Sequence, residues 1–165
     1  MIIGIDPGPT NSAYVVIDDS YNINTQGLKV IAKGWVPNAE LEKLLEKESN
    51  PKHSLAIEFI QSYGASVGQS VFLTCYWVGV FSKAFNVKKN TRLYARPSIL
   101  SHITGGIRSK GKKQVRQSMM VRFGGTKKGE PLHGITNHIW DAVAVVVYHI
   151  DGALLGAVEW GEMKT

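Results

Sequence analysis

The chain has 165 residues, 44% apolar and 19% charged, and its 19 Lys+Arg against 13 Asp+Glu give a net charge of +6. That length suits one domain spanning residues 1–165 with a sizeable core, and the composition argues against disorder, collagen or coiled coil. The apolar run Ala142–Val147 is far short of a membrane span, the opening Met-Ile-Ile-Gly-Ile-Asp has no basic leader, and the single Cys75 allows no internal disulfide. The expected setting is therefore cytoplasmic, with no membrane partner.

In chain order, Ile2–Asp6 is predicted as a short buried strand ended by the turn Pro7-Gly8-Pro9. Ser12–Ile17 and Leu28–Val36 add two more strands around the polar loop Asp18–Gly27, suggesting an antiparallel meander. Pro37 opens a helix with Leu41, Leu44 and Leu45 on one face. Ser54–Ile60 is a fourth strand, almost wholly apolar except for Glu58, as a doubly covered central strand requires. Ala65–Phe85 reads as a long helix, apolar nearly all round, which belongs in the core or at an interface. Thr91–Ala95 is a fifth strand closed by Arg96-Pro97, followed by a short helix Ser98–Ile103 capped by Ser98. A basic loop Thr104–Gly111, a helix Lys112–Phe123, a loop Gly124–Gly134 and a last helix Thr136–Leu155 complete the chain. This order predicts an α/β fold: a mixed central sheet of about five strands, the first three antiparallel, with helices on both faces.

Charge is unevenly placed. Between Glu58 and Glu130 there is no acidic residue, while the same stretch holds thirteen Lys and Arg, among them Arg108, Lys110, Lys112, Lys113, Arg116, Lys127 and Lys128. Gathered on one face, they would attract a polyanion; spread out, they are an ordinary solvated surface.

Three carboxylates stand where core residues are expected: Asp6 ending the first strand, Glu58 within the fourth, and Asp141 near the start of the last helix. A buried carboxylate needs a cationic side chain or a metal to offset its lost hydration, and three converging ones repel each other. Oxygen donors of this kind favour Mg²⁺ or Mn²⁺. His138 lies three residues before Asp141, on the same face of a helix. Taken singly, Asp6 is an ordinary turn former, Glu58 an edge residue, Asp141 a helix-start acid and His138 a residue satisfied by backbone; together the four form an uncommon constellation.

These residues resemble the motifs of the RuvC family of Holliday junction resolvases, within the RNase H-like fold. Gly4-Ile5-Asp6-Pro7-Gly8 is similar to the first-strand motif, Ala56-Ile57-Glu58 to the second acidic motif, and His138-Ile139-Trp140-Asp141-Ala142 to the last. Gly106–Val115 is similar to the basic segment, with Lys112 at the place of the lysine near the scissile phosphate and Lys113 beside it. The resemblance implies a crossover junction endodeoxyribonuclease in which Asp6, Glu58, His138 and Asp141 hold two Mg²⁺ ions (Mn²⁺ as a substitute). Lys112 would offset charge on the phosphate, and the products would carry 5′-phosphate and 3′-hydroxyl ends. It also implies a homodimer through the helix 65–85 and a four-way junction as substrate, and the departures from the motifs suggest a divergent bacterial or bacteriophage member. The aromatic that wedges the junction in the family has no counterpart after Glu58, where Phe59 and Tyr63 are the nearest aromatics. Other readings stay open: an RNase H-like nuclease for other branched DNA or RNA/DNA hybrids, a non-catalytic nucleic-acid binder, and an actin/Hsp70-like ATPase. The last is suggested by Gly4–Ser12 alone, and the chain has length for only one of the two lobes that such an ATPase needs.

Overall fold

The structure is a computed structural model that describes residues 1–20, 27–61, 64, 66–106, 111–152 and 158–159. Its strands are β1 (Ile2–Asp6), β2 (Asn11–Ile17), β3 (Val30–Pro37), β4 (Ser54–Phe59), β5 (Thr91–Ala95) and β6 (Val158–Glu159). Its helices are α1 (Asn38–Lys47), α2 (Gln69–Phe85), α3 (Arg96–Ile103), α4 (Lys112–Phe123) and α5 (Ile139–Gly152). The sheet order is β3-β2-β1-β4-β5-β6, with β1, β2 and β3 antiparallel, β1, β4 and β5 parallel, and β6 antiparallel to β5. The mixed α/β class expected from the sequence holds, with six strands instead of about five because the two-residue β6 adds an edge.

The two-residue period of the strands divides the core into two layers. Ile3, Ile5, Leu55 and Ile57 point to one side, where Leu41 and Leu45 of α1 and Val78, Phe81 and Phe85 of α2 cover them. Ile2, Ala13, Val15 and Ala56 point to the other side, against Ile99 of α3, Val115, Met119 and Phe123 of α4, and the apolar run of α5. Helices thus cover both faces. Gly4 lets α5 approach β1: a Cβ there would stand 2.3 Å from Val146 Cγ2 and 2.6 Å from the Ala142 carbonyl oxygen.

Several boundaries differ from those expected. The helix placed at Ala65 starts at Gln69, with Gly68 as an extended N-cap, because glycine favours the cap over the helix interior. Arg96-Pro97 opens α3 instead of closing β5, since proline suits the first helical turn; Ala95 is the N-cap, and Ser98 lies inside the helix. The last helix starts at Ile139, not Thr136, after Asn137 adopts a left-handed φ of 43°. It is described as far as Gly152; residues 153–155 of the expected helix lie outside the described residues. The helix expected in the core or at an interface divides between the two: Val78, Phe81 and Phe85 are buried, while Phe72 and Tyr76 are each 63% exposed. No helix among the described residues is long and apolar enough to cross a membrane.

Candidate active site

Strand register brings the first two carboxylates together. Ile5 pairs with Ile57 across the parallel β1–β4 ladder, so Asp6 and Glu58, one residue further on, sit at the C-terminal ends of adjacent strands. Both follow the parity of Gly4 and Ala56, which points them toward α5. The C-terminal ends of parallel strands are where open α/β sheets leave a crevice for ligands. Asp141 enters from the first turn of α5, and His138 from the turn just before it.

One oxygen from each of Asp6 and Asp141 and a ring nitrogen of His138 lie within 4.8 Å of one another. His138 Nδ1 is 3.1 Å from Asp6 Oδ2. Asp141 is 3% exposed, and its Oδ2 is a buried side-chain atom without a hydrogen bond among the described residues. Lys112 Nζ stands 3.6 Å from that oxygen, at ion-pair range. Burial first, then repulsion from Glu58 and Asp141, raises the pKa of Asp6 to about 8. A carboxyl held that far up marks a dry site where acids crowd one another, against the weaker pull of Arg96 and Lys112. An orphaned buried acceptor, a second buried carboxylate and an imidazole form an O, O, N donor set of the kind that holds a divalent cation.

Glu58 is placed differently from its three partners. It lies beside Asp6 but gives both carboxylate oxygens to Arg96 Nη1, at 2.8 and 3.0 Å. Arg96 Nη2 reaches Asp141 Oδ1 at 3.4 Å, so one guanidinium bridges two of the three acids. Burial raises the Glu58 pKa, and the Arg96 charge pulls it back. Burial disfavours the Arg96 cation, but Glu58 and Asp141 more than offset this and leave its pKa raised. In the sequence Arg96 stands in the basic run and in the Arg96-Pro97 pair that follows β5. Its available signal was position: it follows directly on β5, the strand beside Glu58, at the start of a helix without an acid in its first turn, where the macrodipole disfavours a cation.

The cleft in front of these groups has a volume of about 440 Å³ and is lined by the Pro7–Asn11 turn, Trp35, Thr74, Arg96 and Lys112 together with Asp6, His138 and Asp141. A buried relay fixes the turn. Gly8 N donates to Ser12 Oγ (3.1 Å), which donates to Asn38 Oδ1 (2.7 Å), while Asn38 Nδ2 donates to the Gly8 carbonyl (2.9 Å). A side chain at position 8 would meet the Asn11 carbonyl oxygen at 2.3 Å, so only glycine fits. Lys112 and Lys113 open α4, again with no acid in the first turn.

Of the other basic residues singled out, Lys113, Arg116, Lys127 and Lys128 are exposed, and Arg116 lies 5.6 Å over the Trp140 ring. Arg108 and Lys110 lie outside the described residues, as does Tyr63; Phe59 packs partly buried against the α1–α2 layer.

A mixed sheet of this order with helices on both faces is the fold of solved RuvC structures. The chain is similar to the Thermus thermophilus RuvC structure, at 19% identity and a TM-score of 0.66, over 96% of this chain and 99% of that one. It is similar to T. thermophilus RuvC in complex with Holliday junction substrate, at 16% identity and a TM-score of 0.68, over 96% and 98%. No family model and no curated protein sequence matches the chain.

Proposed function

We propose that this protein is a metal-dependent endonuclease that resolves four-way DNA junctions. The observation that carries the reading is the convergence of Asp6, His138 and Asp141 around an orphaned carboxylate oxygen, with Glu58 alongside, on a fold shared with a RuvC solved on a Holliday junction.

Asp6, His138 and Asp141 would hold one divalent ion and Glu58, released by Arg96, would help hold a second. The ions, when bound, supply a hydroxide at neutral pH and stabilise the departing 3′ oxygen. The chain's own groups do the rest. Lys112, exposed at the cleft mouth, meets the scissile phosphate and offsets charge that grows on it. Arg96, freed from Glu58, gives a second cation against the same phosphate. The Ser12–Asn38 relay holds the turn after Asp6 in place at the cleft wall. Lys113, Arg116, Lys127 and Lys128, with Arg108 and Lys110, bind the DNA backbone without reading sequence. Cleavage leaves 5′-phosphate and 3′-hydroxyl ends. Paired cuts need two sites, and a homodimer through α2 supplies them.

The test is a synthetic four-way junction beside a linear duplex, a fork and an RNA/DNA hybrid, with Mg²⁺ or with chelator. Symmetric paired nicks confined to the junction, and only with Mg²⁺, are expected. Equal cutting of the hybrid or fork moves the assignment to another RNase H-like nuclease, and no cutting of any substrate removes it.

A further inference from the structure

Trp35 takes no part in the hydrolysis described above, yet it stands beside it. It lies on β3, an edge strand of the sheet, and is 58% exposed, although an indole is among the groups that gain most from burial. Its pairing with Ala13 puts it on the face of the sheet that carries Asp6 and α5. The ring lies nearly parallel to His138, with planes 14° apart and centroids separated by 6.3 Å, and it lines the cleft that Asp6, Asp141 and Lys112 share. A large flat apolar surface is therefore held open at the lip of a site built for a phosphate.

We propose that Trp35 is a stacking platform for a nucleobase of the strand being cut, next to the phosphate that the carboxylates and Lys112 receive. The inference rests on the DNA reading above and adds the residue that helps select a branch. A phosphate seated at His138 and Asp6 carries its base only one sugar away, and the indole is the open ring beside that imidazole. In linear duplex that base is already stacked between its neighbours and has nothing to gain. At a branch point stacking is interrupted, and a base freed there can lie on the indole. Stacking tolerates any base, since all have a π face, so the platform discriminates by DNA shape more than by sequence.

The experiment measures binding of a labelled four-way junction by the full chain in chelator, so that cleavage does not intervene. W35A is expected to weaken binding about tenfold, the order that loss of one base–aromatic stack produces, and W35F to recover most of it. Linear duplex binding should change less than twofold. Single abasic sites scanned across the branch point test contact with a base. At one position the abasic junction should bind wild-type about as weakly as the intact junction binds W35A, with no further loss when both changes are combined. A purely structural role for Trp35 cannot produce that non-additivity. Unchanged junction binding by W35A, or additive penalties at every abasic position, overturns the proposal while leaving the nuclease reading intact. Failure of wild-type to bind the junction at all overturns both.

Discussion

Asp6 and Glu58 solve the same problem, a carboxylate in a dry place, in opposite ways. Glu58 has a guanidinium on both oxygens, whereas Asp6 has an imidazole at 3.1 Å and two acids nearby, with the Arg96 and Lys112 charges acting on it less than the burial and repulsion they oppose. Asp6→Asn therefore relieves the metal-free fold of a carboxyl that burial and neighbouring acids force to stay protonated up to about pH 8, far above its ordinary range. It should raise the thermal melting temperature measured in chelator, leave junction binding as tight or tighter, and lower the cleavage rate by orders of magnitude. A variant that still cuts at the wild-type rate excludes Asp6 from the chemistry. Arg96→Gln does the reverse. It leaves Glu58 buried without its partner, at a cost of about 1 kcal/mol once the 40% exposure of the Arg96 side chain is allowed for. Because the guanidinium and a cation compete for the same oxygens, Mg²⁺ should then raise the melting temperature of Arg96→Gln more than that of wild-type. An equal or smaller rise, followed by differential scanning fluorimetry, counts against competition at Glu58.

Among the elements, what the sequence made legible is what depends on neighbours in the chain. The apolar runs of β1, β2, β4 and β5 announce strands, and a lone acid in each of two such runs announces a site. What stayed hidden depends on contacts between distant residues. Arg96 meets Glu58 and Asp141 across 38 and 45 residues, and its place at the head of an acid-free helix is a faint local mark beside those distant contacts. Trp35 is one more apolar residue in a strand until β2 sets its register. The start of α5 turns on a left-handed Asn137, which gives little local signal. Gly4 shows why element placement matters. Gly4→Ala sets a methyl against the Ala142 backbone, which cannot rotate away, so α5 must shift and carry Asp141 with it. Overpacking of this kind costs about 1–3 kcal/mol in urea unfolding, and cleavage should fall further than the folded fraction does. The far end of α5 titrates separately. Burial, then the Arg92 charge, lowers the His149 pKa to about 4, while burial first raises that of Tyr94 to about 12, and the Tyr94 hydroxyl is hydrogen-bonded to the neutral His149 Nδ1 at 2.8 Å. The unfolded chain takes up this proton near pH 6.5 and the folded chain only near 4. Stability from this pair is thus full above about 6.5 and is lost as pH falls toward 4, by up to about 3 kcal/mol. His149→Gln keeps an acceptor for Tyr94 and should flatten unfolding free energy across that window; an unaltered slope assigns the acid sensitivity elsewhere.

At the scale of the whole molecule, α2 ties the cleft to the outside. Thr74 lines the cleft, while Phe72, Leu73 and Tyr76 face water at 63, 41 and 63% exposure. Phe72 and Tyr76 are four residues apart and share one face of the helix, where both rings are exposed. A four-way junction has two-fold symmetry, and a two-fold protein dimer would set one cleft at each of two symmetric strands. Pairing through α2 would link the spacing of the two clefts to a single rigid element in each protomer. The double substitution Phe72→Glu with Tyr76→Glu places two charges on that surface and touches neither Val78, Phe81 nor Phe85, which hold α2 to the sheet. In sedimentation equilibrium the wild-type chain should be a dimer at micromolar concentration and the variant a monomer. The variant's circular dichroism and its Mg²⁺-dependent rise in melting temperature should be unchanged, because the site within each chain is intact. On a junction in a supercoiled plasmid, where paired cuts linearise and single cuts only relax, the variant should yield nicked circles in place of linear product. A wild-type monomer that still linearises the plasmid would show that two cuts arise from one chain acting twice, and the exposed rings of α2 would then need another partner.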